Sequence, residues 1–272
     1  MKRSAFFVSD STGITAEAVG ESLLSHFPNI EFERHSLPYI DSENKAQQAA
    51  RDIDAAALRD GQAPLVFVSL ISEPVRAIIN AANGFSVDVI NAFLAPLEQA
   101  LGISASENVG RPKVATADPH YSRRIEAINF AQDNDDGSRV HRYSEADIIL
   151  IGVSRSGKTP TCLYLALQFG IFSANYPITE EDLESMRLPE PLQAHREKLF
   201  GLTIDAERLA SIRNERLADS RYASLRQCEM EVAEAESLFR RCRIPCIDTT
   251  DCSIEEISSR ILLETGIQRH FQ

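Results

Sequence analysis

Apolar positions in this chain fall into short unbroken runs separated by longer stretches of helical spacing. Ala5-Phe6-Phe7-Val8, the run from Pro64 to Leu70, and Ile148-Ile149-Leu150-Ile151 each predict a buried strand. Ile14 to His26 has apolar Ile14, Ala18 and Leu23 opposite polar Glu17 and Glu21, which predicts a helix. Ser42 to Leu58 is an alanine-rich helix and Glu73 to Ala82 another, while Phe32 to Leu37 and Val87 to Asn91 are weaker strands. Strands alternating with helices imply a parallel α/β sheet.

Periodicity is lost from Gly102 to Asp118, where Gly, Ser, Asn and Pro collect, and a long loop is expected there. A helix resumes over Tyr121 to Ala131. The acidic turn Asp133-Asn134-Asp135-Asp136-Gly137 follows; its spacing does not fit a calcium loop, so it reads as a solvated turn and as the domain boundary. The expected organisation is an N-terminal parallel-sheet α/β domain, 1–140, followed by a kinase-like phosphate-loop α/β domain, 141–272.

In the second half, Ala174 to Ile178 is a short extended segment. Thr179 to Met186 is a short helix with Thr179 as its N-cap and Asp182 three residues on. Leu199 to Asp205 is a strand closing on an acid. Ala206 to Arg216 and the long charged stretch Tyr222 to Arg243 are helices, Cys246 to Asp248 a last strand, and Ser253 to Thr265 a last helix.

The chain has 272 residues, 43% hydrophobic and 25% charged, the balance of an ordinary globular protein with room for two domains. Its net charge of −12 argues against nucleic acid as the main partner. The five cysteines include no C-x-x-C pair and have no histidine beside them to complete a zinc site, so reduced thiols are expected. No apolar run approaches membrane-spanning length and the N-terminus lacks the apolar core of a secretory leader, so a cytoplasmic protein without membrane contact is expected.

The chemistry concentrates in Gly152-Val153-Ser154-Arg155-Ser156-Gly157-Lys158-Thr159, between the strand ending at Ile151 and the helical run Pro160 to Leu167. This is the full phosphate-loop pattern in its strand-loop-helix setting. Gly152 and Gly157 let the backbone wrap so that successive N–H groups meet phosphate oxygens, and the helix N-terminus adds positive potential. Lys158 is spaced to reach the outermost phosphates and the Thr159 hydroxyl to ligate Mg²⁺. The metal needs an acidic partner at the end of a neighbouring strand. Asp205 fits best and Asp248 second, although Asp205 also precedes a helix and is a natural N-cap. Arg155, inside the loop, is expected to face phosphate. Arg208, Arg213, Arg216, Arg221 and Arg226 are interleaved with acids on helices; most read as solvated face and one or two as phosphate holders. Asp10-Ser11-Thr12-Gly13 reads as a helix cap that could also line a site in the first domain. The six histidines are scattered without ligand spacing.

The loop with its following Pro160-Thr161 and Tyr164-Leu165-Ala166 resembles that of the bacterial phosphoenolpyruvate synthase regulatory proteins, relatives of the pyruvate, phosphate dikinase regulatory proteins. The resemblance extends to Phe7 through Glu17, Arg124 to Ile128, Asp135-Asp136-Gly137, Asn175-Tyr176-Pro177, Lys198 to Asp205, Ser220-Arg221-Tyr222 and Ser253 to Ile257. Ala166 to Gly170 and Arg221 to Cys228 resemble the synthase branch, whereas Arg111 to Asp118 lacks a histidine of the dikinase branch. The resemblance implies a bifunctional enzyme. With ADP as donor it phosphorylates a threonine of phosphoenolpyruvate synthase and inactivates it; with inorganic phosphate it removes that group as pyrophosphate and reactivates it. It also implies a homodimer. In this reading Lys158 stabilises the transferring group, Thr159 and Asp205 hold Mg²⁺, and Asp205 orients or deprotonates the acceptor hydroxyl. The alternatives are another phosphate-loop kinase or NTPase, and a nucleotide-dependent regulatory module without catalysis.

Overall fold

The computed structural model describes residues 2–105, 119–185, 187–218 and 220–270. It divides into two compact units, Met1–Lys113 and Val114–Gln272. The first alternates β1 (Lys2–Ser9), α1 (Ile14–Leu24), β2 (Glu31–Leu37), α2 (Glu43–Asp60), β3 (Leu65–Ser69), α3 (Glu73–Asn80), β4 (Phe85–Asp88) and α4 (Asn91–Leu101). Its four strands are all parallel, in the order β2-β1-β3-β4. Phe6 and Val8 pack into one apolar cluster while Ala5 and Phe7 pack into another, which explains why β1 reads as an unbroken apolar run.

The second unit holds α5 (Pro119–Asp133), β5 (Ile148–Gly152), α6 (Lys158–Phe169), β6 (Ser173–Pro177), α7 (Glu180–Ser185), β7 (Leu199–Thr203), α8 (Ala206–Arg216), α9 (Leu225–Cys242), β8 (Cys246–Asp248) and α10 (Ile254–Thr265). Its strands are again parallel, ordered β6-β5-β7-β8. Ile149 and Ile151 face one cluster, Ile148 and Leu150 the other. The chain leaves β5 for β6 on one side and reaches β7 on the other, so the carboxyl ends of β5 and β7 flank the point where strand order reverses. Open α/β sheets bind ligands there.

Three expectations are corrected. The unit boundary lies ahead of residue 140, because Ala127 and Ala131 of α5 share an apolar cluster with Cys162, Leu165 and Ala166 of α6. Helix α4 was not expected: Pro96 interrupts its apolar spacing, and none of its residues is buried. It also takes Asn91, leaving the preceding strand as Phe85–Asp88. The long helix expected over Tyr222 to Arg243 is broken, with a 3₁₀ turn at Arg221–Ala223 before Ser224 starts α9. From residue 106 the expected 102–118 loop, with the Arg111 to Asp118 stretch, lies outside the described residues, as does Met186 at the expected end of α7. Among the described residues no helix is long and apolar enough to cross a membrane. The five cysteines are unpaired.

Candidate functional site

Residues 152–159 join the carboxyl end of β5 to the first turn of α6. Two glycines make that turn possible. A Cβ on Gly152 would sit 2.4 Å from the Leu202 carbonyl oxygen and 2.8 Å from Ser156 Oγ, so only hydrogen fits between the loop and β7. Gly157 adopts φ +92°, which side chains disfavour. Arg155 adopts φ +76° without being glycine, a strained conformation that neighbours must enforce.

Lys158 turns inward. It is only 4% exposed, and its Nζ donates to the Val153 carbonyl at 2.8 Å. Burial lowers its pKa to about 8, against the opposing pull of Asp136 and Asp135. An ammonium group is thus held against the loop, with a backbone carbonyl as partner.

Thr159 has an acidic partner, and it is Asp135. The Thr159 hydroxyl donates to Asp135 Oδ1 at 2.8 Å, and Asn175 Nδ2 donates to the same oxygen. Asn175 is fully buried; its Oδ1 accepts from the Asp136 amide at 3.0 Å and its carbonyl from the Tyr143 hydroxyl at 3.0 Å. Asp136 is left-handed at φ +48° and is followed by Gly137 at φ +72°. The acidic turn is thus tied to the loop through Asp135, while Asp136 stays exposed. It was visible as a motif, yet nothing in its local pattern shows a bond to a residue 24 positions away.

Asp205 follows β7, the strand beside β5, and its Oδ1 accepts from the Arg208 amide at 2.9 Å as the N-cap of α8. Its own amide donates to Thr250 Oγ1 at 2.8 Å. Asp248 accepts from the Thr250 amide and hydroxyl. Both acids are exposed. Thr249 Oγ1 reaches the Ser156 carbonyl at 3.2 Å and the Thr203 carbonyl at 2.9 Å, tying the loop to β7.

Among the arginines, Arg155, Arg208, Arg216, Arg221 and Arg226 are exposed, but Arg213 is neither solvated nor turned to phosphate. It is fully buried and bonds the Ser154 carbonyl, the Tyr222 carbonyl and Glu231. In the first unit, Asp10 does not cap α1. Gly13 holds that position at φ +85° without a side-chain bond, and Asp10 Oδ2 accepts from the Ile71 amide beyond β3.

The kinase/pyrophosphorylase family model matches residues 5–262 of this chain. A relative from Hahella chejuensis is 56% identical over 272 residues, covering all of both chains. One from Pseudomonas fluorescens is 55% identical over the same full length. One from Marinobacter nauticus is 57% identical over 99% of this chain and all of its own. Each carries the name phosphoenolpyruvate synthase regulatory protein. A solved LacI transcriptional regulator from Lactobacillus brevis covers 91% of this chain and 98% of its own, but a TM-score of 0.21 at 10% identity is too low to bear on fold or function.

Proposed function

This chain belongs to the kinase/pyrophosphorylase family, and from that premise we propose that it switches phosphoenolpyruvate synthase off and on by phosphorylating one of its threonines and removing the phosphate again. In the forward direction the threonine oxygen attacks the β-phosphorus of ADP, the P–O bond to AMP breaks, and the hydroxyl proton is lost to a base. In the return direction inorganic phosphate attacks phosphothreonine, and pyrophosphate and free threonine leave. Both steps move one phosphoryl group between two oxygens in line, so one cradle serves both. Residues Gly152 to Thr159 are read as that cradle, the phosphate loop of the unit.

The observation that carries this reading is the pairing within two adjacent residues of a buried ammonium, Lys158, with a hydroxyl tied to an acid, Thr159 to Asp135. Lys158 would leave the Val153 carbonyl for the transferring phosphoryl oxygens and offset their charge. Because the Thr159 hydroxyl donates to Asp135, its oxygen keeps lone pairs available for a hard cation, which fits Mg²⁺. Thr159 would hold Mg²⁺ directly and Asp135 would orient the Thr159 hydroxyl, beside Asp205, the acid the sequence reading has holding the ion. The ion would neutralise phosphate charge when bound. Asp205, exposed beyond the neighbouring strand, is the group proposed to orient or deprotonate the acceptor threonine, and its capping bond to Arg208 would fix its position. A cytoplasmic homodimer accords with this role.

Mass spectrometry of phosphoenolpyruvate synthase incubated with this protein, Mg²⁺ and either ADP or ATP tests the reading. Phosphothreonine formed with ADP, and erased by inorganic phosphate with release of pyrophosphate, is the expected result. Nucleotide turnover without a modified target would make it another phosphate-loop enzyme. ADP-dependent binding to the target without any phosphothreonine would make it a docking module.

A further inference from the structure

The buried arginine that touches the loop has no place in the chemistry above, yet it is among the most completely buried side chains of the described residues. Arg213 Nη2 and Nε both point at the Ser154 carbonyl, at 3.1 and 3.4 Å. Nη1 donates to the Tyr222 carbonyl at 3.0 Å, and Nη2 also reaches Glu231 Oε2 at 2.7 Å. The guanidinium lies 4.1 Å from the centre of the Tyr222 ring. The Tyr222 hydroxyl in turn meets Ser154 Oγ at 2.9 Å. One loop residue is thus held at both its carbonyl and its side chain by partners 59 and 68 positions away.

A trans peptide directs its C=O and the following N–H in opposite directions. With the Ser154 carbonyl drawn onto the buried guanidinium, the Arg155 amide must point the other way, toward the open side of the loop where Arg155 is exposed. That peptide would otherwise be free to rotate, and Arg155 at φ +76° is strained in the state observed. A buried ion pair is a poor means of stabilising a fold, since an apolar group of equal volume does as well. Arg213–Glu231 is better explained by what the guanidinium holds.

We infer that Arg213 and Tyr222 are positioning residues that lock the Ser154 peptide so that the Arg155 amide is presented to a bound diphosphate. This rests on the reading of residues 152–159 as a phosphate loop. Both residues bond the loop itself, so their loss is expected to fall on nucleotide binding.

The test is calorimetric titration of the full chain with ADP and Mg²⁺, alongside KM for ADP and KM for phosphoenolpyruvate synthase. The variants are Tyr222→Phe, which removes one hydroxyl, and the double variant Arg213→Met with Glu231→Met, which removes the ion pair without stranding a charge. The double variant is expected to weaken ADP at least tenfold and Tyr222→Phe about threefold, with KM for the synthase unchanged. ADP affinity of Tyr222→Phe within the error of wild type overturns the clamp even where the double variant does not fold. So does a folded double variant that binds ADP within twofold of wild type. A wild-type chain that binds no ADP overturns the loop reading and this inference together, which separates the two failures.

Discussion

Lys158 carries the sharpest linkage at the scale of single residues. Its pKa in the folded chain is about 8, below the ordinary 10.5, because burial disfavours the charge. Below pH 8 the lysine is protonated in both folded and unfolded chains, and the whole penalty of burying the ammonium, on the order of 3 kcal/mol, is present. Between about pH 8 and 10.5 the unfolded chain binds more protons, so this group's contribution to stability rises with pH across that window. A bound diphosphate would restore the charge. ADP binding at pH 8.5 is therefore expected to take up a fraction of a proton, measurable as a dependence of binding heat on buffer ionisation. Lys158→Ala should remove that uptake and abolish kinase and pyrophosphorylase activity together; retention of either at a normal rate would show that they do not share a site. The two acids separate in the same way. Asp135→Ala takes away the acceptor of the buried Asn175 Nδ2 and frees the Thr159 hydroxyl, so it should destabilise the chain by about 1–3 kcal/mol and raise the Mg²⁺ requirement about 10- to 100-fold. Asp205→Ala loses a helix cap, about 1 kcal/mol, and should lower phosphothreonine formation while leaving ADP titrations unchanged.

Elements were readable where one local pattern decided them. The run Ile148 to Ile151 is a strand buried on both faces, and Ser253 with Glu256 forms the capping box of α10 that its spacing announces. Thr179 and Asp182 form a reciprocal pair of the same kind at the start of α7. Helix α4 is not legible in the sequence because no residue of it is buried, so packing imposes no clean apolar stripe on it. The 3₁₀ turn before α9 is hidden in the sequence because Tyr222 and Ala223 continue the apolar spacing, while the Ser220 side chain caps that turn by accepting from the Ala223 amide. The junction of β5 with β7 sets another expectation. Gly152→Ala drives a methyl into the Leu202 carbonyl, and backbone cannot yield as a flexible side chain does. A loss of about 1–3 kcal/mol is expected, together with loss of ADP binding. A melting temperature equal to wild type would show that the loop has room the geometry denies.

On the scale of the whole molecule, each unit has its own four-stranded parallel sheet and its own pair of apolar clusters. The loop, the acidic turn and the arginine clamp all belong to the second unit. A ligand stabilises the structure it binds by mass action, about 2.7 kcal/mol at a hundredfold excess over Kd. Hydrogen exchange of the full chain with ADP should accordingly show the greatest added protection in 148–170. Equal protection across β1 and β3 would place nucleotide contacts in both units. A net charge of −12 does not oppose a diphosphate, because the fold gathers Lys158 and the amides of the α6 N-terminus at one point.

The sequence by itself determined the alternation of strand and helix, the parallel class of the first sheet, and the loop from Gly152 to Thr159. Each is written in residues adjacent along the chain, where backbone period and turn chemistry act. Only the tertiary structure decided that Asp135 rather than Asp205 bonds Thr159, that α5 packs in the second unit, and that Arg213 is buried against Ser154. Those contacts join residues from 24 to 59 positions apart, and they depend on which strand ends the fold brings together. Asp135 and Asp205 are both acids beside a turn; distance in space, which no local pattern encodes, told them apart.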